Sequence, residues 1–154
     1  MMSRNDVQRF TTSILISRRS NKLQFSRVRT SQRCRGILSN LKIKTGLTPN
    51  ILSRFAICLS LKDPSIPNPL EFDEDGTEFL PETLFGENQK LFLALMIDRL
   101  HRDGIDPDEV SKTKTTNLDV MLRAHLNRGV YSMFSRIQGL SSFNEMIKAE
   151  QQYD

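Results

Sequence analysis

Arg27 and Arg29 are the first residues whose type and spacing suggest chemistry. They stand two apart in a stretch, Gln24 to Thr30, that alternates with the two-residue period of a β-strand, so that Phe25, Arg27 and Arg29 share one face and Ser26, Val28 and Thr30 the other. Neighbouring guanidinium forks suit guanine edges or phosphate oxygens. Lys22, Arg33, Arg35, Lys42 and Lys44 extend the positive charge on either side. Thr48 and Asn50 flank Pro49 at the start of a helix, where backbone N–H groups without helical partners attract a phosphate. These nine residues, Lys22, Arg27, Arg29, Arg33, Arg35, Lys42, Lys44, Thr48 and Asn50, form the candidate DNA-binding set.

Other chemistries find less support. Asp73-Glu74-Asp75-Gly76 looks like the opening of a calcium loop, but such loops need oxygen ligands at positions 1, 3, 5 and 12, and Thr77 and Leu84 stand at the fifth and twelfth. A Mg²⁺ site on Asp73, Glu74, Asp75 and Glu78 stays open beside the plainer reading of a solvated acidic loop. His101 and His125 have no second ligand at metal spacing, and a capping or surface role is expected for each. Cys34 and Cys58 sit on apolar stripes without Cys-x-x-Cys spacing and read as buried structural thiols of a reducing compartment. Phosphate-cradling glycine loops and hydrolase or metalloprotease motifs are absent. No catalytic residue, metal ligand or cofactor is expected.

Charge is distributed unevenly. Residues 1–62 carry 13 Lys and Arg against one acid, Asp6; residues 63–154 carry 9 against 17, so a net of +12 faces a net of −8 behind the overall +4. A surface shaped only for solubility would mix the signs, so the basic half points to a polyanionic partner. The apolar patch Ile14-Leu15-Ile16 is too short for a signal-peptide core of about 7 to 15 residues, and no run approaches the roughly 18 to 20 needed to span a membrane. A cytoplasmic protein without membrane contact is expected.

The elements that must position these residues are mainly helical. After the short strand, Ser31 offers an N-cap oxygen to a first helix over Gln32–Lys44, with Cys34, Ile37, Leu38 and Leu41 at helical spacing. Gly46 fits a left-handed C-terminal cap. Thr48-Pro49 opens a second helix to about Leu61, with Leu52, Phe55, Ala56 and Leu59 in one stripe. Pro64, Pro67 and Pro69 then mark a linker. A third helix runs from about Glu87 to Arg102 with Leu91, Leu95 and Ile97 in its apolar run, and a fourth covers Asn117–Ile137 with Leu118, Leu122, Leu126, Met133 and Ile137 as core stripe. Gly129 in that fourth helix costs about 1 kcal/mol against alanine unless another backbone packs closely there. The division expected is a flexible basic extension over 1–20, a single helical DNA-binding domain over 21–138, and a frayed tail over 139–154. Strand, helix, turn and helix give a ribbon-helix-helix-like N-terminal half, with two further core helices completing a self-associating bundle. A lone strand leaves its backbone groups unpaired, so two chains are expected to pair their strands and place Arg27 and Arg29 in the major groove.

Three segments together resemble the DndE family, a small subunit of the bacterial DNA phosphorothioation machinery: Thr45-Gly46-Leu47-Thr48-Pro49-Asn50-Ile51-Leu52, Phe72-Asp73-Glu74-Asp75-Gly76 and Arg123-Ala124-His125-Leu126-Asn127-Arg128-Gly129. They occur in family order, and the similar region runs from about Lys22 to Ile137. The first twenty residues have no counterpart, and Asp108–Thr116 reads as a variable loop. The resemblance implies a helical protein that forms dimers or tetramers, binds double-stranded and nicked DNA, and works beside a sulfur-transferring subunit and an ATPase without being the catalyst. The Arg123–Gly129 segment is expected to be an oligomer or domain contact. Two alternatives compete with an accessory DNA-binding subunit: a Mg²⁺-dependent nicking endonuclease built on the acidic loop, and a ribbon-helix-helix repressor.

Overall fold

In the computed structural model, residues 23–152 are described, and Lys22 and the extension over 1–20 lie outside them. The chain is mainly helical: β1 (Val28–Arg29), α1 (Gln32–Thr45), α2 (Pro49–Lys62), a 3-10 turn (Pro69–Glu71), β2 (Glu78–Phe79), α3 (Pro81–Phe85), a second 3-10 turn (Gly86–Asn88), α4 (Gln89–Arg102), α5 (Asn117–Arg136) and α6 (Leu140–Gln151). Local signals set the helix ends. The Ser31 hydroxyl accepts the Cys34 N–H at 3.0 Å, Gly46 closes α1 at φ 75°, and Pro49 opens α2.

The core centres on α2 packed along α5. Gly129 sits mid-helix at their crossing, where a Cβ would occupy the place of the Ala56 carbonyl. The glycine therefore lets two backbones touch, which offsets its conformational cost. Leu118, Leu122, Leu126, Met133 and Ile137 are fully buried around it.

The end of α2 explains much of the rest. Its last carbonyls lack helical partners, and two arginines supply donors. Arg99 donates to the carbonyls of Leu61, Asp63 and Ser65 at 2.7–2.8 Å and pairs with Asp103 at 2.8 Å. Arg128 donates to the Ser60 carbonyl at 2.7 Å, the Ser60 hydroxyl at 2.8 Å and the Ser65 carbonyl at 2.8 Å. His125 lies against this cluster, fully buried, with Nδ1 at 2.9 Å from the Ser60 hydroxyl. Nε2 has no hydrogen-bond partner among the described residues. Burial first, then the charges of Arg128 and Arg99, push its pKa down to about 4 and keep the ring neutral. His125 is thus a core residue, against the expected capping or surface role; His101 is exposed as expected.

Several expectations change. The strand β1 has a partner in its own chain: it pairs antiparallel with β2, Val28 opposite Phe79 and Arg29 opposite Glu78. The order of a ribbon-helix-helix is present, but the backbone need that would force strand exchange between two chains is met internally. Phe25 does not share the outward face of Arg27 and Arg29; it is buried and its ring lies 4.8 Å from that of Phe85. On α4 the buried side is Phe92, Met96, Arg99 and Leu100, whereas Leu91 and Leu95 face outward. From Gly139, where a frayed tail is expected, α6 forms instead. Phe143 and Met146 are buried, and Phe143 meets Phe55 edge-on at 5.1 Å. Cys34 is buried, its thiol pushed up to about 12 by desolvation, but Cys58 is exposed.

Candidate nucleic-acid interface

The segment carrying Arg27 and Arg29 is held from three directions. On one side Asp119 accepts the Ser26 N–H at 3.0 Å and its hydroxyl at 2.7 Å. Behind the strand the side-chain oxygen of Asn127 accepts the Ser31 N–H at 2.9 Å. The acidic loop supplies the third hold. Thr30 and Thr77 exchange backbone and side-chain hydrogen bonds, and the Gly76 N–H donates to the Thr30 carbonyl at 2.8 Å. Gly76 lies so close to Thr30 and Ser31 that no side chain would fit.

Asp73 accepts the N–H groups of Gln32, the first residue of α1, and of Asp75 at 2.8 and 3.0 Å. The Asp75 bond, then the Gln32 bond, hold its carboxyl below the usual range. Glu74 pairs with Arg123 at 3.3 Å, and Glu78 pairs with both Arg27 and Arg29. Three of the four carboxylates named for a Mg²⁺ site are therefore occupied by protein donors. No group of three or more acidic, histidine or cysteine side chains stands close enough to hold a metal ion among the described residues.

With β1 fixed, Arg27 and Arg29 line a groove of about 620 Å³. Its other walls are Pro69 and Leu70 from the 3-10 turn, Glu74 from the acidic loop, the 111–115 loop including Lys112, and the start of α5 including Asp119 and Arg123. The two strand arginines share one carboxylate at 3.4 and 3.3 Å, with side chains 67% and 58% exposed. Arg123 is different: its side chain is 14% exposed and donates to the Phe72 carbonyl at 2.9 Å, forming the floor. Lys112 is exposed and makes no ion pair with any described residue.

The other candidate residues do not all converge here. On α1, successive residues turn by about 100°. Arg35 and Lys42 therefore fall along one flank and Arg33 and Lys44 along the other, separated by the uncharged outward strip of Gly36, Ser39, Asn40 and Ile43. Arg33 lies over the Tyr131 ring, 4.6 Å from its centre. Arg35, Lys42 and Lys44 are exposed without ion pairs to described residues. Thr48 is exposed and its hydroxyl makes no capping bond; the Asn50 amide donates to the Thr83 carbonyl at 3.2 Å, tying α2 to α3. Residues 23–62 contain eight Lys and Arg and no Asp or Glu.

Lys112 and Arg123 are the groove cations that lie outside the candidate set. Both belong to the acidic half, and only the pairing of β1 with β2 and the packing of α5 bring them to Arg27 and Arg29. Arg123 carried a signal of its own, as the first residue of a family-like segment; Lys112 carried none.

Comparison with known proteins points one way. The family model described as DNA sulphur modification protein DndE matches residues 27–140. Among solved structures, DndE from Escherichia coli B7A, involved in DNA phosphorothioation modification, is similar with a TM-score of 0.55 at 23% identity, covering 72% of this chain and 99% of that one. A DndE mutant involved in DNA phosphorothioation is similar with a TM-score of 0.54 at 20% identity over the same shares. No curated protein sequence matches.

Proposed function

The chain belongs to the DndE family of DNA sulphur modification proteins, and from that premise we propose that it is an accessory DNA-binding subunit of the phosphorothioation machinery, binding intact and nicked duplex through its basic N-terminal half. The observation that carries this reading is the acid-free segment 23–62, whose exposed Arg27, Arg29, Arg33, Arg35, Lys42 and Lys44 lie just before β1, on it and on α1. Exposed cations without matching acids raise the local concentration of a polyanion and release its counterions on contact. Sulfur insertion itself belongs to other subunits, a sulfur-transferring protein and an ATPase, which this chain accompanies in the cytoplasm. Self-association is part of the same reading. Its support is the outward-facing Leu91 and Leu95 on α4, 57% and 38% exposed, no longer the strand. No helix among the described residues is long and apolar enough to cross a membrane.

The nickase alternative draws no support from the acidic loop, whose carboxylates Asp73, Glu74 and Glu78 are engaged by the Gln32 N–H, by Arg123 and by Arg27 and Arg29. The repressor alternative loses its paired-strand argument for the reason given above.

Fluorescence anisotropy on intact and nicked duplexes over a range of salt concentrations tests the proposal. Log affinity is expected to fall with log salt by about 0.9 for each phosphate neutralised. A flat salt dependence, or no binding at low salt, overturns it.

A further inference from the structure

We propose that the groove between β1 and the 111–115 loop seats one backbone phosphate of bound DNA, gripped by Arg27, Arg29 and Lys112 above Arg123, with Glu78 as the internal anion that the phosphate displaces. The proposal rests on the DNA-binding reading and assigns it a place, half of which lies in the part of the chain with net negative charge.

The donors are unevenly committed. Arg123 is fixed by a carbonyl and by Glu74, so it shapes the floor without being free to move. Arg27 and Arg29 share a single carboxylate through long, exposed contacts, which leaves one positive charge in excess and a pairing that contributes little to the fold. Lys112 adds a second unmatched charge from the facing wall. Two other acids line the groove and both are engaged: Glu74 pairs with Arg123 at 3.3 Å, and the oxygens of Asp119 accept from Ser26 and from the Thr116 hydroxyl at 3.2 Å. The excess charge of the groove is therefore positive, carried by the Arg27 and Arg29 guanidinium groups and the Lys112 ammonium beside the apolar walls of Val28, Pro69, Leu70 and Val120. A phosphate presents acceptors alone and a full negative charge, which a base edge lacks, and guanidinium forks fit it.

The loop is built to present Lys112. The Ser111 N–H donates to the Thr115 carbonyl at 2.9 Å and the Lys114 N–H to the Ser111 carbonyl at 2.9 Å, closing a tight turn with Lys114 at φ 61°. Lys114 does not line the groove. The variable loop thus contributes one cation of its two. A phosphodiester, and not a free anion, fits because β1 leads directly into α1, where Arg35 and Lys42 continue as unmatched positive charge along one flank.

The test compares Lys112→Ala, Lys114→Ala, Glu78→Gln and Lys90→Ala in the full-length chain, by anisotropy with a short fluorescent duplex across salt concentrations and with circular dichroism to confirm folding. Lys90 lies exposed at the start of α4, outside the groove. Lys112→Ala is expected to weaken binding about tenfold and to reduce the salt slope by about 0.9, the signature of one lost phosphate contact. Lys114→Ala and Lys90→Ala remain within about twofold of the wild type, since neither meets that phosphate. Glu78→Gln tightens binding, because the competing carboxylate is gone while its size is kept. Equal effects of Lys112→Ala and Lys90→Ala, with wild-type binding intact, overturn the groove and leave the DNA-binding reading standing; absence of wild-type binding overturns both. Inorganic phosphate, compared with chloride at matched ionic strength, separates the two sources of the ligand. If phosphate binds the wild type but not Lys112→Ala and yet leaves bound DNA in place, the seat belongs to a free anion and the proposal fails.

Discussion

At the seam where α2 ends against α4 and α5, Arg99 and Arg128 direct their N–H groups onto carbonyls of the helix end and of the turn that follows it, at 2.7–2.8 Å. At β1, Arg27 just before the strand and Arg29 within it reach one shared glutamate at 3.3–3.4 Å and stand mostly in solvent. The same side chain closes the fold in one region and is left available in the other. A count of charges cannot separate these uses. What separates them is whether each guanidinium is matched, donor by donor, to acceptors that have no alternative partner.

The comparison breaks most sharply at Gly129. Gly129→Ala places a methyl group against the Ala56 carbonyl, and neither helix can yield without disturbing the His125–Ser60–Arg128 cluster beside it. A loss on the order of 4 kcal/mol is expected in urea denaturation, above the usual overpacking range because backbone meets backbone. A loss below about 1 kcal/mol would show that the seam is looser than described.

A pH titration of stability sharpens the same contrast. The folded protein keeps His125 neutral until about pH 4, whereas the unfolded chain takes up that proton near 6.5. The contribution is full above pH 6.5 and is lost as pH falls toward 4, where the deficit reaches roughly 3 kcal/mol. Asp63 and Asp73 do not share this window. Their hydrogen bonds, from Ser65 and from the Asp75 and Gln32 N–H groups, hold them below 3.8, so their contribution is lost only at more acidic pH. Thermal melts from pH 7 to 4 should fall steeply for the wild type and less steeply for His125→Gln; parallel curves would remove His125 as the cause.

Much of the seam was legible in the sequence. The stripe Leu118, Leu122, Leu126, Met133 and Ile137 named the buried side of α5, and a glycine inside a strong helix pattern signalled close backbone approach. The burial of His125 was not legible, because what makes a neutral core histidine tolerable is the Ser60 hydroxyl, 65 residues away. The groove was legible on one wall only. Its strand is two residues long and its partner, Glu78–Phe79, lies inside an acidic loop where alternation has no room to show. The helix α6 was missed because it begins at Gly139 without a strong capping residue; Ser142 does that work from within, accepting the N–H groups of Gln138 and Gly139. Leu91 and Leu95 misled for a simpler reason: an almost continuous apolar run does not reveal which face is inward.

The smallest expected effect is on the other side of the comparison. Arg27→Ala combined with Arg29→Ala should change stability by less than about 0.5 kcal/mol, since exposed ion pairs contribute little, while removing most of the groove's grip on DNA. Urea denaturation and anisotropy on the same sample check both halves. A substantial loss of stability would mean that these arginines hold the fold after all.

The attachments of β1 also set a schedule. The Thr77 N–H that binds Thr30 lies 47 residues downstream, and Asn127, which holds Ser31, lies 96 residues downstream. At synthesis rates of roughly 5 to 20 residues per second, the strand leaves the ribosome about 5 to 20 s before its last anchor is made. During that interval the segment is a bare polycation, able to meet any nucleic acid nearby and unable to hold a shape. The groove with its walls is therefore acquired late, when the final third of the chain closes behind the strand.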